Sequence, residues 1–441
     1  MSREGNLEAP TRHPLDWKTP EFYDKNKTEA EMARIFDICH GCRRCFNLCN
    51  AFPMLFDAVD ATPSGELHDV PVSVMWDVVD QCYLCDMCYM TKCPYTPPHP
   101  FNLDFPHTML RAKAVQFKEG KPNFRDRLLT STDALGKLAS IPVVVQAVNA
   151  VNRNGMTRAL MEKTLGIHRE RLLPTYTSAT FRKRAGTSES FPVRNGERTP
   201  GKVVIYATCY VNYNEPGIGH DLVKVLEHNE IPVRLLEKEA CCGMPKLELG
   251  DLDAVAALKE KNIPFLAEVA RSGYAILTAI PSCTLMYKQE LPLLFPDDPD
   301  VKAVAEAMYD PFEYLSLRHA DGLLKTNFVK PLGTVSYHVP CHLRVQNIGL
   351  KTKELLQMVP DTTVNTVERC AGHDGTWGVK SEHFEMSMKI GRPVFNRMKE
   401  PEPDYVSSDC PIASRHILQG MKQEREREHP ISHLRIAYGL E

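Results

Sequence analysis

The stretch that decides the fold of this chain is GKVVIYATC, residues 201–209, because the chain repeats it as GTVSYHVPC, residues 333–341. The first copy is a short apolar, β-branched run that ends in a cysteine, as a buried parallel strand should read. After it, strand-like runs alternate with amphipathic helical ones. This alternation predicts an α/β fold with a doubly wound parallel sheet.

Two further pairs of segments extend the repeat. ACCGMPK, residues 240–246, matches RCAGHDG, residues 369–375, and GYAILTAIPSCTLM, residues 273–286, matches PDYVSSDCPIA, residues 403–413. The paired cysteines are offset by 132, 129 and 127 residues, which indicates an internal duplication. Each cysteine follows a predicted strand or lies in a loop, and such positions meet at the carboxyl edge of a parallel sheet, where ligands bind. We therefore expect distant cysteines to gather at one site.

A different cysteine pattern lies nearer the N-terminus. Four cysteines are spaced C-x2-C-x2-C-x3-C and four more C-x2-C-x2-C-x4-C, with Pro94 directly after the last. In such runs three thiolates bind one iron–sulfur cluster and the fourth binds the other cluster. The predicted ligand sets are Cys39, Cys42, Cys45 and Cys93 for the first cluster, and Cys82, Cys85, Cys88 and Cys49 for the second.

These runs resemble a bacterial-type ferredoxin domain with two [4Fe–4S] clusters. The second run has one extra residue before its last cysteine, and Cys49 is followed by Asn50 rather than by proline. Zinc is the alternative, but four-cysteine zinc sites usually divide their ligands into two separated C-x2-C pairs. The two C-x2-C-x2-C runs therefore favour iron–sulfur clusters.

Composition limits the class of protein. The chain has 441 residues, 43% of them hydrophobic, and a formal net charge of −3, which argues against a nucleic-acid-binding protein. The N-terminus lacks the apolar core of a secretory signal, so the fifteen cysteines predict a cytoplasmic protein with metal-bound thiols. The most apolar stretch, residues 141–151, is shorter than the ~20 residues that a spanning helix needs. We expect a soluble or peripheral protein.

Four ranges are predicted as domains. Residues 1–108 form an N-terminal arm and a helical two-cluster ferredoxin-type domain, and residues 109–199 form a helical connecting region and a linker. Residues 200–325 and 326–441 form the two repeated α/β domains. The connecting region could dock on a membrane or a partner protein. We expect a packed helical cap instead, because its basic residues are not concentrated on one face.

The ordered motifs resemble a known family. Duplicated C…CCG…C patterns resemble the cysteine-rich CCG domain of heterodisulfide reductases. With the twin cysteine runs before them, they are similar to the iron–sulfur C subunit of anaerobic glycerol-3-phosphate dehydrogenase and its relatives. CHLRVQNIG, GHDGTWGVK and SSDCP also fit this family, and the resemblance covers nearly the whole chain.

The resemblance implies a component of an oxidoreductase complex that passes electrons between two partners. The donor side would be a flavoprotein or another redox partner, such as a diiron protein of the rubrerythrin type. The acceptor would be a quinone or a disulfide, which allows peripheral contact with the inner face of the cell membrane.

The family pattern also implies ligands in the repeats, where five thiols hold a non-cubane [4Fe–4S] cluster. Met286 stands in place of the fifth thiol of the first repeat, which keeps four thiols for a third cluster: Cys209, Cys241, Cys242 and Cys283. The second repeat keeps Cys341, Cys370 and Cys410, with His342, His373 or His416 as a possible fourth ligand. Three cysteines and a histidine suit zinc. The alternatives are a site without metal and a fourth cluster.

Three functions remain possible from the sequence. The first is the electron-transfer subunit. The second is a disulfide reductase that acts at the cluster of the first repeat, although the missing fifth thiol counts against it. The third is a zinc-stabilised assembly protein without a redox role. No G-x-G-x-x-G flavin fingerprint follows a predicted strand, so any organic substrate belongs to a partner. The catalytic residues are unknown.

Overall fold

The computed structural model describes residues 10–91, 93–186, 188–425 and 429–441. The chain divides into two compact units. The first contains the chain up to Thr130 together with Pro245–Val255 and Leu293–Phe295, and the second contains the remainder. Residues 1–9 of the predicted N-terminal arm lie outside the described residues. The four predicted domain ranges stay predictions.

The first unit is helical along the described chain up to Thr130. Its α-helices are α1 (Lys25–Cys42), α2 (Ala51–Asp60), α3 (Val72–Gln81), α4 (Met87–Thr91), α5 (Phe105–Lys118) and α6 (Phe124–Leu129). The helical spacing of Met32, Ile35 and Phe36 places all three on the buried face of α1. The ring centroids of Phe36 and Phe105 lie 5.8 Å apart, so α1 and α5 share an aromatic core.

Four helices open the second unit: α7 (Thr132–Ala139), α8 (Val144–Arg153), α9 (Gly155–Leu165) and α10 (Phe181–Arg184). The segment 124–140 of the predicted helical connecting region forms two helices, α6 and α7, with a break at Thr130. Among the described residues, no single helix has the length and apolar composition to cross a membrane. Helices α7 and α8 pass that test only as a pair, with a bend of 111° between them.

The first repeat forms a parallel sheet in the order β2–β1–β3–β4. Its strands are β1 (Val203–Ile205), β2 (Val233–Leu235), β3 (Ala275–Leu277) and β4 (Met308–Tyr309). Its helices are α11 (Thr208–Tyr213), α12 (Pro216–His228), α13 (Met244–Leu249), α14 (Leu252–Arg271), α15 (Pro281–Leu285), α16 (Leu291–Leu294), α17 (Pro299–Ala307) and α18 (Pro311–Ala320), with a π-turn over Met286–Glu290. Strand β1 is buried along its whole length, as its Val-Val-Ile sequence predicts.

The second repeat forms a parallel sheet in the order β6–β5–β7. Its strands are β5 (Gly333–His338), β6 (Thr362–Val367) and β7 (Tyr405–Ser408), and its helices are α19 (Cys341–Arg344), α20 (Lys351–Leu356), α21 (Phe384–Lys399), α22 (Pro411–Met421) and α23 (Pro430–Ala437). Val335 and Tyr337 of β5 belong to the same buried cluster as Val364 of β6. The predicted α/β architecture with parallel sheets is confirmed.

Both sheets place cysteines shortly after strand ends. Strand β1 ends four residues before Cys209, and β3 ends six residues before Cys283. Strand β5 ends three residues before Cys341, and β7 ends two residues before Cys410. In parallel sheets these ends face one edge, so the duplicated fold gives each repeat a cysteine-bearing edge.

Candidate metal centres

The first N-terminal cysteine run begins at the end of a helix. Cys39 and Cys42 lie in the last turn of α1, and the next residue, Arg43, has a left-handed φ of 55°. A left-handed residue at this position commonly ends a helix and reverses the chain. Cys45 and Cys49 follow within the turn region before α2. The helix end therefore lets thiols from both sides of the turn approach each other.

The second run begins in the tight connection between α3 and α4, continues into α4 with Cys88 and ends after it with Cys93. Leu84 and Asp86 both have left-handed φ values, 54° and 60°, which cost a non-glycine residue ~1–2 kcal/mol each. The Arg12 guanidinium binds the Asp86 carboxylate with both ends, at 2.7 and 2.9 Å. Because this ion pair is largely buried, it stabilises the strained loop that carries Cys85.

Thiols of the two runs lie close enough to affect one another. Burial raises the pKa of Cys39 and Cys88 well above the ordinary thiol value, and neighbouring thiols raise it further. For Cys39 these neighbours are Cys45, Cys93 and Cys42, and for Cys88 they are Cys45, Cys82 and Cys49. Cys93 therefore lies near the first run and Cys49 near the second, but Cys45 of the first run also acts on Cys88, so the two runs form one group of thiols. The ligand sets themselves stay a prediction.

Four thiols converge in the first repeat. Cys209 and Cys242 both hydrogen-bond Cys241, and Cys242 also contacts Cys283. The Thr132 hydroxyl donates to the Cys241 sulfur at 3.3 Å. These donors lower the pKa of Cys241 well below the ordinary thiol value, while Cys209 and Cys242, as donors to it, have raised pKa values. The group thus stabilises one thiolate at Cys241.

The loop that carries Cys241 and Cys242 is held by buried polar groups. The Asn262 side chain accepts a hydrogen bond from the Ala240 amide at 2.8 Å and donates to the Cys241 carbonyl at 3.0 Å. The Tyr206 hydroxyl donates to the Ala240 carbonyl at 2.6 Å. Gly243 follows with a φ of 99°, a conformation that residues other than glycine rarely adopt. The CCG sequence therefore needs its glycine to turn the chain away from the thiols.

Local backbone strain positions Cys209. The preceding residue, Thr208, is buried and has a φ of 65°, an outlier for a β-branched side chain. Such strain persists only where the surrounding structure fixes it, and it concentrates at functional sites. The turn connects β1 to α11 and directs Cys209 to the other three thiols.

A cavity of about 260 Å³ opens beside Cys209. The Arg182 guanidinium and the Glu239 carboxylate line it together with Asp133 and Lys137. Burial raises the pKa of Glu239 to about 7, although Arg182 at 3.4 Å and the Ala207 amide oppose that rise. The four-thiol group is thus bordered by a polar cavity with charges of both signs.

Met286 occupies the position of the family's fifth thiol. Its side chain is fully buried at the start of the π-turn Met286–Glu290. Tyr287 follows, and its hydroxyl lies 3.4 Å from that of Tyr206. The position is therefore filled by a well-packed thioether.

The second repeat brings a histidine to one of its three cysteines. Cys410 caps the start of α22, and its sulfur lies 3.9 Å from His373 Nε2. Burial, together with the nearby Cys341, raises the pKa of Cys410 to about 12. The Cys370 sulfur accepts a hydrogen bond from the Gly372 amide at 3.3 Å. Buried Ala371 and Ala413 stand where the complete pattern has cysteines.

The three candidate histidines differ in their surroundings. His416 Nδ1 contacts the buried guanidinium of Arg171, so this nitrogen is already engaged. Burial, and then Arg171, lower the pKa of both His373 and His416 well below the ordinary value, which keeps both imidazoles neutral. His342 lies in α19 next to Cys341. The structure records a contact between His373 and the Cys410 thiol, while Arg171 competes for His416.

The thiol groups suit soft metal ions in their chemistry. Thiolates are preferred ligands of iron–sulfur clusters and zinc, and a buried thiol with a raised pKa loses its proton when a cation binds. No group of three or more histidine, cysteine, aspartate or glutamate side chains in the described part of the chain is arranged to hold a single metal ion.

Several residues around the thiols were not predicted. Thr132 lies in a segment expected to be a cap, and no local pattern links it to a cysteine 109 residues later. Asn262 lies in the middle of α14, where an asparagine has low helix propensity and is fully buried. The sequence offers one signal for these residues: Asn262 is a polar residue on a helix face that is otherwise predicted to be apolar.

Comparison with known proteins agrees with the duplicated fold. The CCG family model, described as a cysteine-rich domain, matches residues 203–288 and 335–416. The C subunit of anaerobic glycerol-3-phosphate dehydrogenase from Escherichia coli (strain K12) is 30% identical over 338 residues, which cover 76% of this chain and 82% of that protein. The B subunit of fumarate reductase (CoM/CoB) from Methanothermobacter marburgensis is 28% identical over 52% of this chain and 44% of its own length. Lactate utilization protein A of Bacillus cytotoxicus is 28% identical over 47% of this chain and 87% of its own length.

Proposed function

The chain belongs to the family of the C subunit of anaerobic glycerol-3-phosphate dehydrogenase, and from this premise we propose that it is the iron–sulfur electron-transfer subunit of an oxidoreductase complex. The observation that carries the proposal is the convergence of four thiols from separate segments of the first repeat. A chain that only needed a packed core would gain nothing from gathering sulfur atoms there.

Three clusters are proposed. Two [4Fe–4S] clusters would use the eight cysteines of the N-terminal runs, with Cys93 and Cys49 exchanged between them. The third would use the four thiols of the first repeat. When bound, such clusters accept and release single electrons. The protein supplies the thiol ligands, the buried surroundings and the hydrogen bond from Thr132 to Cys241.

The second repeat is proposed to hold zinc or no metal. The contact between His373 and Cys410 supports zinc, with Cys341 and Cys370 as the remaining ligands, although the described side chains are not already arranged around a single ion. Among the three histidines, His373 is our choice, because Arg171 engages the ring of His416. A fourth cluster is the less favoured alternative.

The partners are proposed from the relatives. Two of the similar proteins are, by name, subunits of a dehydrogenase and of a reductase. We propose a flavoprotein or another redox partner, such as a rubrerythrin-type diiron protein, on one side. A quinone or a similar acceptor would lie on the other side.

Metal analysis of anaerobically purified protein tests this proposal. We expect a brown protein with about eight to twelve irons per chain. Cys283→Ser should remove about four of them, whereas Cys410→Ser should leave iron unchanged and remove whatever zinc the second repeat holds. Iron below about four per chain with zinc dominant would contradict the proposal and favour the zinc-stabilised assembly protein.

The cavity beside Cys209 supports one alternative function, that of a disulfide reductase. A disulfide added to the reduced protein would then oxidise it rapidly, and a polar substitution in the cavity would slow that reaction. The electron-transfer proposal expects no such disulfide-dependent oxidation. The buried Met286 in place of a fifth thiol also favours electron transfer.

A further inference from the structure

The described part of the N-terminal arm, residues 10–19, is bonded to the second cysteine run and to the segment after it. The hydroxyl of Tyr89, in α4, donates to the Thr11 carbonyl at 2.5 Å. The Thr11 amide donates in turn to the Pro97 carbonyl at 3.1 Å. Because Thr11 is bonded through both its carbonyl and its amide, the next residue, Arg12, is held beside α4.

The Arg12 side chain is only 10% exposed and bridges two carboxylates. In addition to its two bonds with Asp86, it pairs with Asp104, whose carboxylate lies 3.2 Å from Arg12 Nε. His107 Nδ1 also lies 3.2 Å from the Asp104 carboxylate. Burial raises the pKa of Asp104, but His107 and Arg12 lower it well below its ordinary value. One guanidinium thus balances both carboxylates, with His107 as a further partner of Asp104.

Each of these carboxylates acts on a thiol of the N-terminal runs. Burial raises the pKa of Cys88 well above its ordinary value, and Asp86 is one of the charges that raise it further. Burial, together with Asp104, raises the pKa of Cys93 to about 11. A negative charge near a sulfur makes a second negative charge there less favourable. The two carboxylates therefore lie near enough to the sulfurs to act on them, and Arg12 offsets that effect.

We propose that Arg12 is a positioning residue that raises the reduction potential of the N-terminal iron–sulfur clusters by balancing Asp86 and Asp104. The inference rests on the proposed function, because it requires clusters at these thiols. Reduction adds one electron, supplied by a redox partner, to a group of thiolate ligands that is already negative, so nearby carboxylates oppose it. The potentials of such clusters depend on the net charge around them. A guanidinium that balances two carboxylates therefore favours reduction.

An anaerobic redox titration followed by EPR tests this proposal, with dithionite as the reductant. Signals that remain in Cys283→Ser identify the N-terminal clusters. We expect Arg12→Gln to make reduction of at least one of them about tenfold less favourable, a fall of about 59 mV for one electron. Arg12→Lys keeps the charge but loses the planar fork, so it should keep the potential and lose iron faster to EDTA. The matched control Arg271→Gln removes an exposed arginine paired with Asp300 and should change neither property.

A double substitution separates the effect of charge from that of loop structure. Asp86→Asn removes one carboxylate, and asparagine tolerates the left-handed φ of 60° at this position. Arg12→Gln combined with Asp86→Asn leaves the same net charge as Arg12, Asp86 and Asp104 together, so it should recover most of the lost potential. A purely structural role of Arg12 predicts no recovery in the double variant and the same fall in Arg12→Lys as in Arg12→Gln.

The outcomes separate this inference from the proposed function. An unaltered protein without iron would contradict the proposed function itself. Iron-loaded Arg12→Gln with an unchanged potential, or a double variant that recovers nothing, would overturn the role of Arg12 alone. If Arg12→Gln retains no iron or does not fold, Arg12→Lys decides: an unchanged potential supports the balance of charge, and a fall of about 59 mV overturns it. Iron content and thermal unfolding establish which variants are loaded and folded.

Discussion

A buried histidine connects the two repeats, and its titration can be predicted in detail. His429 Nε2 lies 3.2 Å from the Ala279 carbonyl and 3.1 Å from the Asp409 carbonyl. Carbonyls can only accept, so Nε2 carries the hydrogen. His429 Nδ1 accepts a hydrogen bond from the Ile431 amide at 3.2 Å and thereby caps α23. Both nitrogens are therefore engaged in the neutral tautomer.

The size of the expected change in stability follows from the pKa of His429. Burial lowers the pKa of His429 to about 4, against hydrogen bonds to the two carbonyls that raise it. In the unfolded chain a histidine titrates near 6.5. Because the folded pKa is depressed, this stabilisation is complete above pH ~6.5 and is lost as the pH falls towards 4. Between pH 7 and pH 5 the loss amounts to about 2 kcal/mol of unfolding free energy.

The assay is anaerobic urea unfolding at both pH values. His429→Asn keeps a capping side chain but cannot titrate. We expect the variant to lose about 2 kcal/mol less than the unaltered protein between pH 7 and pH 5, since all other titrating groups are common to both. His68→Asn, at a histidine whose side chain is 72% exposed, is the matched control for replacing a histidine by asparagine. If His429→Asn shows the same pH dependence as the unaltered protein, His429 is not held neutral by burial and the reasoning is wrong.

Three further substitutions test the packing around the first repeat. Gly219→Ala would place a Cβ 2.7 Å from the Phe181 ring and should lower the unfolding free energy by about 2 kcal/mol in urea titrations; an unchanged midpoint would contradict this. Asn262→Ala should lower the unfolding free energy by about 3 kcal/mol and reduce iron retention, because it leaves the Ala240 amide and the Cys241 carbonyl unpaired. Full iron content would show that these two bonds are not needed to hold the cysteine loop. Thr132→Val should lower the reduction potential of the proposed third cluster by up to about 40 mV in redox titrations, whereas Thr132→Ser should keep it.

The duplicated sheets could be predicted because their signals are local. Strand β1 is a three-residue β-branched run, and the repeat of its sequence before Cys341 gave the second sheet. The break between α6 and α7 has no comparable signal in the sequence. The Thr130 hydroxyl bonds the Asp126 carbonyl, and hydroxyl side chains of this kind compete with helical backbone bonds.

Contacts between segments that lie far apart in the chain could not be predicted from the sequence. The pairing of Arg171 with His416 spans 245 residues, and nothing in either segment marks the other as its neighbour. The exposure of Met156 could not be predicted either. Hydrophobic periodicity shows which residues share a face of a helix, but not whether another element covers that face.

The single thiolate at Cys241 has a consequence for how the first repeat would acquire metal. Cys209 and Cys242 still hold their protons, and each must release one to the solvent before its sulfur can bind a cation. Maturation of this centre would therefore be acid-sensitive, and Cys241, already charged, would offer an incoming ion its first point of attachment.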